Sequence, residues 1–138
     1  YWGSSTEWRK GLKGLGASDR CPGPLGAGCL APGVVPLSRI EGKPDAFLVR
    51  WQGQAEFRPT PGFALALLPR GQWTDDPLLA YEEFSAGNFT VGRGYDPGTL
   101  IGDRGIAVSA EARLRSLIPE NRTAIAAQPF AFFDAAWV

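Results

Sequence analysis

From Asp45 to Arg58 the chain alternates: Phe47, Val49, Trp51, Ala55 and Phe57 fall on one face, Arg50, Gln52, Gln54 and Glu56 on the other. A period of two is the signature of an extended strand, whose successive side chains point to opposite sides. Pro59, Thr60, Pro61 and Gly62 then predict a turn. The run after it sets Phe63, Leu65, Leu67 and Trp73 against Ala64, Arg70 and Gln72, with a local interruption at Leu68 and Pro69. From Gly105, Ile106, Val108, Ala110, Ala112 and Leu114 oppose Ser109, Glu111, Arg113 and Arg115. In the last run, Thr123 to Val138, Ile125, Ala127, Ala131, Phe133, Ala135 and Trp137 oppose Gln128, Phe130, Phe132 and Asp134. Trp2 to Leu15 alternates poorly and adds a fifth, irregular strand.

The connections alternate in length. Those at 59–62 and about 117–122 are short, whereas those at about 17–44 and 75–104 are long. Long loops are uncommon inside compact domains, but outer-membrane barrels have short turns at one end and long loops at the other. The expected fold is therefore all-β, an antiparallel transmembrane β-barrel of which about five strands are present. A soluble β-sandwich binding module produces the same alternation. The two differ in whether the apolar face meets a core or lipid.

Composition narrows the function classes. The 18 Gly, 12 Pro and five Trp favour strands, turns and interfacial aromatics over helix. Fourteen basic residues balance fourteen acidic ones, which provides no footprint for nucleic acid. Histidine is absent, and with it the commonest metal ligand and general base. Glu82, Glu83 and Glu111 are the carboxylates an enzyme would need to pair, and no spacing ties them into one site. The expectation is no enzyme, no metal and no cofactor. No apolar run reaches the roughly 18 residues of a transmembrane helix, and no signal peptide opens the chain. The chain begins at Tyr1 and stops at Val138 within an alternating run, so residues 1–138 read as part of a larger barrel domain, with no periplasmic domain among them.

Two stretches carry the most specific information, VGRGYDPGTLIGDRG at 91–105 and FAFFDAAWV at 130–138. With RGQWTDDPLLAYEEFSAGNFT before the first, this order resembles the C-terminal barrel region of two-partner secretion transporters, the haemolysin-activator type of outer-membrane protein. The resemblance is good over roughly Asp45 to Val138 and weak over Trp8 to Ser18. It implies a sixteen-stranded barrel preceded by periplasmic polypeptide-transport-associated domains, in the bacterial outer membrane and in contact with its lipid. Its partner would be a secreted polypeptide, and no nucleotide would be used. The family carries Val, Arg, Gly and then Tyr or Phe at the tip of a long loop that folds into the lumen. There the arginine pairs with the aspartate of a Phe-x-Asp-x-Gly strand motif. By that resemblance Val91, Gly92, Arg93, Gly94 and Tyr95 form the loop tip, and Phe132 and Asp134 the strand partner. Two departures stand out: Gly92 separates Val91 from Arg93, and Ala136 occupies the place of the motif glycine. A barrel-assembly insertase of the same superfamily shares these motifs and is the alternative function.

Elementary physics is compatible with such a pairing. About eighteen residues at about 3.3 Å each separate Arg93 from the preceding strand, ample to reach back into a lumen. Parity sets Asp134 on the polar face, and a guanidinium can bind a carboxylate in a bidentate way that lysine cannot reproduce. Glu111 and Arg113 are further candidates on the lumen wall. Asp103 and Arg104 read as a local turn pair. GRGYDPG lacks the Gly-Lys-Ser/Thr ending of a phosphate loop. Cys21 and Cys29, in the first long loop, are candidates for one disulfide in an extracytoplasmic setting.

Overall fold

The computed structural model describes residues 1–12, 27–29, 37–87, 91–114 and 127–138. Seven strands follow in order: β1 (Trp2–Lys10), β2 (Phe47–Thr60), β3 (Phe63–Thr74), β4 (Phe84–Ala86), β5 (Leu100–Gly102), β6 (Gly105–Leu114) and β7 (Phe130–Trp137). Five of them form one antiparallel sheet in the order β1-β2-β3-β6-β7, and β4 pairs with β5 in a separate small ribbon. No α-helix occurs among the described residues, and no helix is long and apolar enough to cross a membrane.

The alternation read from the sequence sets the faces of this sheet. Thr60 pairs with Phe63, so the turn between β2 and β3 is only Pro61 and Gly62 and the strand extends past the expected boundary. The register shifts between Phe57 and Thr60, where Pro59 has no N–H to give the ladder. Leu68 and Pro69 do not end β3. Pro69 keeps its register with Val108 of β6, and on the other side it faces Gly53, where an added Cβ would lie 3.3 Å from the proline ring. The irregular first segment is a regular strand that closes earlier than Leu15, paired along its length with β2. The part of the last run before Ala127, the short link at 117–122 and Arg115 lie outside the described residues.

Burial is inverted relative to a soluble sheet. The apolar face is open: Phe57, Phe133 and Trp137 are 65%, 66% and 61% exposed, and Trp51, Leu65, Leu67, Trp73 and Ile106 are also exposed. The polar face is covered, with Gln72 and Ser109 only 5% and 3% exposed. The covering layer is the described part of segment 75–104, which the sequence gives only as a long connection and which contains a 3₁₀ turn at Ala80–Glu82 and the β4–β5 ribbon. Two small apolar clusters join it to the sheet. Phe84, Ala86 and Val91 of the loop meet Ala107, with Ala136 against them, and Leu78 meets Ala46 and Leu48. Gly105 is needed beneath this layer, because a Cβ there would run into the Phe84 ring. A sandwich would bury the apolar face in a core; here no described residue covers it.

Candidate functional site

The β4–β5 ribbon projects the loop tip down the polar face. Gly87 donates its N–H to the Val91 carbonyl (2.9 Å), Tyr95 to Gly92 (3.1 Å) and Thr99 to Asp96 (3.2 Å), so the tip is folded on itself. The turn from Gly92 to Tyr95 has Gly94 at its third position with φ +92°, a conformation that glycine adopts without the Cβ penalty. Gly92 itself has φ +83°, and its own N–H and that of Arg93 point toward β7. Both bond to one carboxylate oxygen of Asp134, Gly92 N at 3.0 Å and Arg93 N at 2.9 Å.

The Arg93 side chain closes on the same aspartate. Its Nη2 lies 3.0 Å from Asp134 Oδ1 and its Nε 3.1 Å from Oδ2, a bidentate contact. The remaining donors go to β6, Nη1 to Glu111 Oε2 at 2.7 Å and Nη2 to Ser109 Oγ at 2.9 Å. The Phe132 ring lies under the guanidinium, 3.8 Å from its central carbon to the ring centroid. Register explains the convergence. Ser109 pairs with Asp134 and Glu111 with Phe132, so two adjacent rows of the sheet present all four groups on one face. Asp134 accepts four hydrogen bonds from two loop residues and its side chain is 5% exposed. The hydrogen bond to Asp134, and a further one to Glu111, hold the Arg93 guanidinium above its ordinary pKa range, so it stays charged.

The other sequence candidates fall around this centre. Val91 is buried in the apolar cluster beside it, and Tyr95 is 67% exposed. Arg113 is on the same face but does not touch Arg93; it lies 2.5 Å from Glu111 and 3.8 Å from Glu56. Gly92, a departure from the motif, supplies one of the two backbone donors to Asp134. Ala136, the other departure, packs its methyl against the loop cluster. Asp103 and Arg104 are not a local pair. Asp103 binds Arg39 (2.6 Å) and accepts from the Leu78 N–H (2.9 Å), while Arg104 lies 3.9 Å from Asp75. Cys29 is disulfide-bonded, and Cys21 lies outside the described residues.

Sequence reasoning passed over two features. Ser109 is on the predicted polar face, but only its pairing opposite Asp134 shows that it belongs to the arginine's shell. The second is a cluster at the loop root, where Glu82 meets Arg9 and Arg50, and Glu83 meets Arg39. Glu82, Glu83 and Glu111 are thus each matched to an arginine, not paired with one another. Among the described residues no group of three or more His, Cys, Asp or Glu could hold a metal ion.

The family described as Haemolysin secretion/activation protein ShlB/FhaC/HecB matches residues 1–138. No curated protein and no solved structure matches the chain.

Proposed function

The chain belongs to the haemolysin secretion/activation protein family, and from that premise we propose that it forms part of the barrel of an outer-membrane transporter. That transporter exports a haemolysin- or adhesin-like partner polypeptide through its lumen, and residues 1–138 lie within the transmembrane domain. The five-stranded sheet is a sector of the wall. Its polar face is the lumen side, and segment 75–104 lies within the lumen as a plug fastened at its tip by Arg93. No covalent chemistry takes part, so the protein acts by binding and conformational change.

The observation that carries this reading is the seating of Arg93 on Asp134, Glu111 and Ser109 partway down the wall. Ser109 and Glu111 follow Gly105 by four and six residues, which places the arginine about 13 to 20 Å below the loop end of the strand. A surface loop would have no reason to bury its charge there. The opposite face supports a lipid boundary. Trp8, Trp51, Trp73 and Trp137 cluster near the loop end and Phe57 and Phe63 near the turn end. Between Trp73 and Phe63, ten residues at about 3.3 Å span roughly 33 Å of strand, or about 25 Å of height at a tilt near 40°, the thickness of an outer-membrane apolar band.

The test uses the full-length protein in an outer membrane, with Cys21 and Cys29 replaced by serine and cysteines at positions 91 and 136, which leaves Arg93 and Asp134 in place. A crosslink between them, and loss of partner export in Arg93→Ala while the barrel still inserts and migrates in a heat-modifiable way, is the expected result. Undiminished export by a normally inserted Arg93→Ala would overturn the reading. Normal export with loss of other outer-membrane barrels would favour assembly of membrane proteins instead.

A further inference from the structure

The loop is held to the wall a second time, far from Arg93. Glu82, in the 3₁₀ turn, lies against the first three strands of the sheet. Its carboxylate accepts from Arg9 Nη1 of β1 at 2.9 and 3.1 Å and from Arg50 Nη2 of β2 at 2.7 Å. Its carbonyl accepts from Arg50 Nη2 at 2.9 Å and from Gln72 Nε2 of β3 at 2.8 Å. Gln72 Nε2 also reaches the Asp103 carbonyl at 3.1 Å, and Arg39 joins Asp103 and Glu83 from the first long connection. Both ends of segment 75–104 are therefore tied at one level.

The two attachments share no residue, and their polarity is reversed. At the root the loop supplies the carboxylate and β1 and β2 supply the guanidinium groups; at the tip the loop supplies the guanidinium and β6 and β7 the carboxylates. They also lie toward opposite ends of the strand order, so the loop crosses the sheet diagonally. An acidic segment of a passing polypeptide would meet guanidinium groups at either anchor, carried by the loop at the tip and by the wall at the root.

We propose that Glu82 is a positioning residue that forms an independent second anchor, holding the root of the loop on β1 to β3 so that the tip can leave the wall without the loop leaving the lumen. This rests on the transporter reading for the word lumen, but its test does not depend on export. Hydrogen–deuterium exchange of the full-length protein in lipid nanodiscs reads the backbone of each anchor separately. Glu82→Gln is expected to speed exchange of residues 80–86 at least about tenfold while 91–99 stay at wild-type rates, and Arg93→Ala to do the converse. A double Arg9→Gln, Arg50→Gln variant removes the anchor from the sheet side and should reproduce the Glu82→Gln pattern. Protection of β3 and β6 verifies that each variant is folded. Equal acceleration of both segments by either single variant would show one cooperative unit and overturn the proposal. So would unchanged exchange at 80–86 in Glu82→Gln. Export measured on the same variants separates the two ideas: a protein with both anchors removed that still exports normally overturns the transporter role of the loop, whatever the exchange shows.

Discussion

Phe132 and Asp134 stand two residues apart on one face of β7, and each holds a different side of Arg93. The ring lies 3.8 Å below the guanidinium carbon, and the two carboxylate oxygens meet Nη2 and Nε at 3.0 and 3.1 Å. The pleat puts residues i and i+2 on the same side of a strand, so a spacing of two is what lets one segment present both an aromatic face and an anion to one cation.

Arg93→Lys keeps the charge and both backbone donors to Asp134 but loses the planar fork. It should weaken docking of the tip by about 2 kcal/mol. Arg93→Ala should weaken it by roughly 3 kcal/mol, at the lower end for a buried pair because the arginine side chain retains 21% exposure. Export rates of the two variants at equal barrel levels check the order. Wild-type export by Arg93→Lys would mean that charge alone suffices.

Phe132→Leu removes the ring face and leaves every hydrogen bond of Arg93 in place. A loss of about 0.5 to 1 kcal/mol is expected, seen as faster amide exchange at 92–95. No change there would assign the aromatic to filling space only.

Ala136→Gly restores the glycine of the family motif. Here it should loosen the tip, because the methyl packs on the cluster of Phe84, Ala86, Val91 and Ala107. The expected effect is about 1 kcal/mol, part lost burial and part added backbone freedom. Slower exchange at Val91 in this variant would contradict the packing role.

Gly92→Ala and Gly94→Ala separate strain from crowding. A Cβ on Gly94 meets nothing within 4 Å, so the variant should show only the left-handed penalty of about 1 kcal/mol. A Cβ on Gly92 comes within 3.1 and 3.3 Å of the Gly87 backbone as well, so Gly92→Ala should be worse. Amide exchange at residues 93–99 ranks them.

Leu67→Arg and Gln54→Arg test the faces of the wall. Leu67 is on the open apolar face of β3, and an arginine there near mid-height should oppose insertion by about 2 to 4 kcal/mol. Gln54, on the polar face of β2, should accept arginine with normal insertion. Heat-modifiable migration of both variants gives the answer, and equal insertion would argue against a lipid boundary on the apolar face.

Alternation along the chain was enough to read the five strands of the large sheet and their two faces, because each residue's parity follows from its neighbours alone. A resemblance to the family motif pointed to Arg93 and Asp134. Which rows of the sheet face one another is a property of register between strands far apart in the chain. Only the tertiary structure could therefore bring Ser109 and Glu111 into the arginine's shell, or place Glu82 against Arg9 and Arg50 across 73 and 32 residues. The loop shows the same division. Its glycines and turn residues were visible, but its ribbon and 3₁₀ turn are stabilised by burial against Ala107 and Leu48 and by the charges of β1 and β2, partners that no local pattern specifies. Parity determined that one face is apolar and the other polar; the fold decided that the polar face is the buried one.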